Sequence, residues 1–187
     1  MAHNRGERVK PVWDSNGLNF LTSNAEFSVP DIEEPILIMD MGGIIRNRPD
    51  PFSLPLSPNK TYVDFGLIWG EDIIDLLMSD RGKIILPLRK LQGFDELDAA
   101  LAYAEDIAIG IDWSQSIESQ NRDFRIDVVT LLQKLHRRGI VDIIIYSLKG
   151  ECPYIPAGIA VNLNMKVVYF TELKHLPKWA KGAFVFE

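Results

Sequence analysis

The chain has 187 residues, with 26 acidic against 20 basic side chains and a formal net charge of −6. A domain of that size can bury roughly 70% of the surface its unfolded chain exposes, and a composition of 47% hydrophobic and 25% charged residues excludes wholesale disorder. The negative average field argues against general binding of nucleic acid or of anionic membrane surfaces, and one cysteine, Cys152, excludes a disulfide scaffold. With no basic-then-apolar leader and no long uncharged apolar run, the expectation is a cytoplasmic chain that does not enter a membrane and whose oligomeric state is open.

Residues 1–30 are polar and irregular and read as an N-terminal arm; residues 31–187 read as one domain. "ILIM", from Ile36, has the continuous apolar character of a strand covered on both faces, and it runs into Asp40 and the glycines 42 and 43. Residues 46–60 hold Pro49, Pro51, Pro55 and Pro58, which predict a flap or loop and argue against a helix directly behind the glycines. Thr61 to Trp69 predicts a strand bent at Gly66, and a helix near 71–81 follows, with an acidic start and Gly82 as its stop. "KIILPL" predicts a strand that lies at a sheet edge or ends at Pro87.

The next helix is expected near 95–108, capped by Asp95, with Leu97, Leu101, Ala104 and Ala108 along one side. Ile109 to Ser114 predicts a short strand, and the polar residues after it a loop. A third helix is expected near 124–138, capped by Asp123, buried through Val128, Leu131, Leu132 and Leu135, and stopped at Gly139, before a strand from Val141 to Tyr146. The basic residues Lys134, His136, Arg137 and Arg138 suit the negative end of that helix's dipole. A weak helix around 153–164, a strand "MKVVYF", a helix broken by Pro177 and a last strand "GAFVFE" complete the chain. This alternation predicts a single α/β domain, Rossmann-like, with a mixed or mostly parallel sheet and helices packed on its faces.

The chemistry-bearing residues are sparse. Three histidines and one cysteine show no metal-ligand spacing, and Cys152 with His175 has the residue types of a nucleophile pair but no spacing signature. Gly42 and Gly43 lack the remaining residues of a phosphate-cradling loop. Aspartates at strand ends remain: Asp40 closes "ILIMD", Asp112 closes "IGID", and Asp64 sits in "YVDFG". Carboxyl ends of parallel strands line the crevice in which open α/β sheets bind ligands, and two such carboxylates, Asp40 and Asp112, could hold Mg²⁺. The same residues also serve as turn formers and helix caps.

"LIMDMGGII" resembles the first motif of haloacid-dehalogenase-like hydrolases, in which an apolar strand ends in a nucleophilic Asp, and "LLQKLHRRGIVDIIIYSLKG" is similar to the unit that leads to that family's second motif. The resemblance implies Asp40 as nucleophile, Ser147 as phosphoryl-binding residue, Lys149 or Lys166 as the charge-stabilising lysine, and Mg²⁺ as cofactor. Gly42 stands where the phosphatases usually carry a second, general-acid Asp, and Glu187 alone is left for the late acidic pair. The other reading starts from the aromatic residues. Trp13, Trp69, Trp113 and Trp179 are candidate anchors for another protein, and an acidic domain without an assembled catalytic set fits a partner of a basic protein. The sequence therefore points first to a non-enzymatic binding or regulatory protein of the inhibitor or immunity type, needing no cofactor, and second to a Mg²⁺-dependent phosphohydrolase or phosphotransferase.

Overall fold

The computed structural model describes residues 2–3, 8–13, 36–53, 61–80, 82–147, 152–171 and 182–184. The apolar, β-branched runs become strands: β1 (Ala2–His3), β2 (Arg8–Trp13), β3 (Ile36–Met39), β4 (Thr61–Asp64), β5 (Lys83–Pro87), β6 (Ala108–Trp113), β7 (Ile117–Glu118), β8 (Asp142–Ser147), β9 (Lys166–Thr171) and β10 (Gly182–Phe184). Between them lie the helices α1 (Met41–Arg46), α2 (Ile73–Ser79), α3 (Phe94–Tyr103), α4 (Val128–His136) and α5 (Ala157–Asn162). The result is an α/β domain with one mostly parallel sheet. No helix among the described residues is long and apolar enough to cross a membrane.

Strand order follows chain order from β1 to β6 and then β8, β9 and β10, with β7 folded back antiparallel on β6. Each parallel connection therefore moves one strand in the same direction. Strand twist accumulates along such a series and curls the sheet, so that β10 approaches β1 and β2. Alternation along the strands sorts side chains onto two faces. The larger core holds Ile38, Val63, Ile84, Leu86, Ile109, Ile143, Ile145 and Val167 with the buried sides of α2, α3 and α4, and this is the convex, helix-covered face. The smaller cluster is Leu37, Met39, Ile85, Ala108, Ile144, Tyr146 and Val168, on the concave face.

Several elements depart from the expectations. Arg8–Trp13 of the N-terminal arm is a strand parallel to β3, and a six-residue helix, α1, does begin directly after Asp40 and includes both glycines. The prolines at 49 and 51 follow its end and so cannot oppose it. The close fit requires glycine: a Cβ at Gly43 would lie 2.0 Å from the Phe65 carbonyl oxygen. Only Thr61–Asp64 of the 61–69 segment is strand, and the helix near 71–81 is a 3₁₀ turn, Gly70–Asp72, leading into α2. β5 ends at Pro87 as an interior strand between β4 and β6, not an edge.

The helix expected over 95–108 stops at Tyr103, its cap position is Gly93 in place of Asp95, and Ala108 belongs to β6. The third helix starts later than expected. Asp127, not Asp123, is its cap and accepts the Thr130 N–H, because Phe124 is spent in a 3₁₀ turn that buries its ring edge-on against Phe94 at 4.8 Å.

Candidate functional site

The concave face becomes polar at the carboxyl ends of its strands. Counting alternately from the buried Ile85, β5 directs Pro87 and then Arg89 to this side; β4 directs Asp64, β6 Asp112 and β8 Tyr146. Gly110, one inward position before Asp112, leaves room for the aromatic ring, since a Cβ there would sit 2.8 Å from a Tyr146 ring carbon. Arg89 is held by its backbone as well. The Leu88 N–H donates to the Gly110 carbonyl at 2.8 Å, the Gln120 N–H donates to the Arg89 carbonyl at 2.8 Å, and the Ser119 hydroxyl donates to the Leu88 carbonyl at 2.6 Å. The β6–β7 hairpin and the segment behind it thus clamp the turn that carries the guanidinium.

Arg89 bridges two carboxylates from adjacent strands. Its Nη1 donates to Asp64 Oδ2 and its Nε to Asp112 Oδ2, each at 2.7 Å. The other Asp64 oxygen accepts the Gly66 N–H at 2.9 Å. The guanidinium also lies over the Tyr146 ring, 4.9 Å from its centroid. Burial alone would weaken protonation of Arg89, but the charges of Asp64 and Asp112 more than offset this and hold its pKa above the ordinary arginine value. Burial raises the Asp112 pKa, and Arg89 only partly opposes it. Tyr146, fully buried and beside Asp64, has its phenol pushed well above the usual tyrosine range. One atom of the fork is left over: Arg89 Nη2 is buried with no hydrogen-bond partner among the described residues.

Above this cluster opens a cleft of about 580 Å³ lined by Arg89, Asp112, Trp113, Ser114, Glu118, Ser119, Gln120 and Tyr146. Asp112 and Glu118 are directly opposed across the β6–β7 hairpin. Among the described residues the cleft therefore offers two acidic groups, an aromatic face and one guanidinium. It is of a volume that small-molecule sites commonly have.

The sequence-derived candidates fall in different places. Asp40 is buried and caps α1, its carboxylate accepting the Gly43 N–H at 3.1 Å and the Asp50 N–H at 3.0 Å. Ser147, also buried, ends β8 on the helix-covered face. Both stand at the carboxyl end of the sheet, but β4, β5 and β6 lie between β3 and β8, which at about 4.8 Å per strand is about 19 Å along the curve. Asp40 and Asp112 are directed to opposite faces, and among the described residues no group of three or more His, Cys, Asp or Glu is placed to hold a metal ion. Trp113 joins the cleft, Trp69 is exposed beside α2, and Trp13 ends β2.

Lys149, His175 and Trp179 lie outside the described residues. Lys166 sits at the start of β9, at the opposite end of the sheet, and donates to the Tyr62 hydroxyl at 3.1 Å. Half-burial pushes the Cys152 thiol up to about 11, so it is protonated and a weak nucleophile at neutral pH.

Arg89 is the member of the cluster that sequence reasoning missed. The signal for Arg89 was the alternation itself: Lys83, Ile85, Pro87 and Arg89 share one face, and the last of them overhangs the strand end. No protein-family description matches the chain, and no curated protein matches it either.

Proposed function

We propose that this is a binding protein whose ligand, a neutral hydroxyl-rich molecule of sugar size, sits in the cleft at the carboxyl ends of β5 and β6. The observation that carries the reading is the Arg89 fork, engaged by Asp64 and Asp112 through two of its nitrogens and keeping Nη2 buried without a partner among the described residues. A buried donor left unmade costs about 1–3 kcal/mol, and a ligand oxygen in the cleft would offset it once Arg89, part of the lining, turns Nη2 toward it. Charge narrows the class. Among the described lining residues Asp112 and Glu118 outnumber Arg89, which disfavours an anion, while a cation placed against Asp112 would also face the guanidinium. A hydroxyl both donates and accepts, so it satisfies the carboxylates and Arg89 together, and Trp113 supplies an apolar surface for a ring.

The phosphohydrolase reading would need Asp40 beside Ser147; with three strands between them, this geometry gives it less support. Calorimetric titration with neutral mono- and disaccharides, alongside inorganic phosphate and spermidine, tests the proposal. Saturable binding of a neutral sugar, weakened at least tenfold by Glu118→Gln and by Trp113→Ala, is expected. Saturable binding of phosphate or spermidine alone, or sugar binding indifferent to both substitutions, would overturn it. Glu118 is exposed, so its substitution leaves folding intact.

A further inference from the structure

α2 buries Ile73 and Leu76 against the convex core but leaves Ile74, Leu77 and Met78 exposed, Met78 to 78%. The spacing i, i+3, i+4 gathers these three on one flank of the helix. Trp69, 52% exposed, stands where the chain enters the Gly70–Asp72 turn. The turn Pro51–Ser53, which carries the exposed Phe52, packs beside α2. Apolar side chains clustered in this way on an outer surface are a mark of interaction sites.

The adjoining flank is acidic. Glu71, Asp72, Asp75 and Asp80 are all exposed, and no lysine or arginine occurs from Gly70 to Asp80. We propose that this surface docks a basic, apolar-sided segment of another protein, its apolar side chains on Trp69, Leu77 and Met78 and its lysines or arginines over Glu71 and Asp75. Charge selects that occupant. A second copy of this chain, related by a two-fold axis, would set carboxylates against carboxylates, and a nucleic acid or an anionic membrane would meet the same repulsion. The inference stands apart from the cleft, none of whose lining residues belongs to this surface.

The test uses the full chain and two fluorescent 18-residue peptides of identical leucine spacing, one with lysine at its polar positions and one with glutamate. Anisotropy titration is expected to show saturable binding of the lysine peptide only. Leu77→Ser with Met78→Ser, and separately Glu71→Lys with Asp75→Lys, are each expected to weaken it at least tenfold, with unchanged circular dichroism and melting temperature. Equal binding of the two peptides, no binding of either, or binding unaffected by both double substitutions would overturn the proposal. So would a wild-type dimer in sedimentation equilibrium that Leu77→Ser with Met78→Ser dissociates, which would assign the face to a second copy.

Discussion

Arg89 bonds both Asp64 and Asp112, and Asp64 is fully buried. Removing one member of such a set leaves charge in a poorly solvated place, which costs far more than the intact set contributes. Arg89→Ala is therefore expected to destabilise the fold by about 3–5 kcal/mol, read as a lower urea midpoint. Adding Asp64→Asn and Asp112→Asn to Arg89→Ala should recover part of that loss, because the uncompensated charges go with it. A lysine at position 89 would be a point charge on a flexible stem and could not reproduce the two-stranded fork. The residues were partly legible beforehand: Asp64 and Asp112 stand out in sequence as strand-end carboxylates. Their partner does not, because only the placing of β5 between β4 and β6 brings residue 89 between positions 64 and 112.

At the scale of elements, α1 shows how a local signal and a tertiary contact combine. Two glycines among six residues give it a low intrinsic helix propensity, each costing about 1 kcal/mol relative to alanine. Its cap is correspondingly important: Asp40 takes the Gly43 N–H from within the helix and the Asp50 N–H from the chain beyond it. Asp40→Ala should cost about 1–3 kcal/mol of stability, and Asp40→Asn, which keeps the acceptor for one N–H but turns an NH2 toward the other, somewhat less, in chemical denaturation of the two variants. Equal losses would mean that one retained acceptor is not enough and the whole carboxylate is needed. The cap of α4 is the complementary case. Asp123 and Asp127 both have the residue type, and the burial of Phe124 decides between them by holding the preceding turn against α3.

For the molecule as a whole, the curled sheet has a charged end opposite the cleft. Lys83 at the start of β5 bonds Asp142 of β8 and Asp106 ahead of β6, tying three successive neighbours of the sheet together. Burial alone would lower the Lys83 pKa, but the bonds to Asp106 and Asp142 and their charges outweigh it and raise the pKa above 10.5. A lysine with a raised folded-state pKa contributes stability that is complete below the unfolded value and disappears as pH rises through the folded one. The stability difference between the wild type and Lys83→Met should accordingly stay level from neutral pH to near 10.5 and shrink above it, measured by thermal melts across that range.

What the sequence by itself determined is the kind of element and the class of fold. Apolar runs such as "ILIM", the amphipathic stripe from Val128 to Leu135 and the strand beginning near Asp142 are local patterns in which period, run length and β-branched content together distinguish strand from helix. Strand order is not a local property. Any sequence of parallel strands and crossovers satisfies the same periods whether the next strand is added to one edge of the sheet or the other. The single-direction order seen here bends the sheet, gives it a concave face and brings positions 64, 89, 112 and 146 to one rim of it, while it leaves Asp40 and Ser147, which look alike as strand ends, with three strands between them.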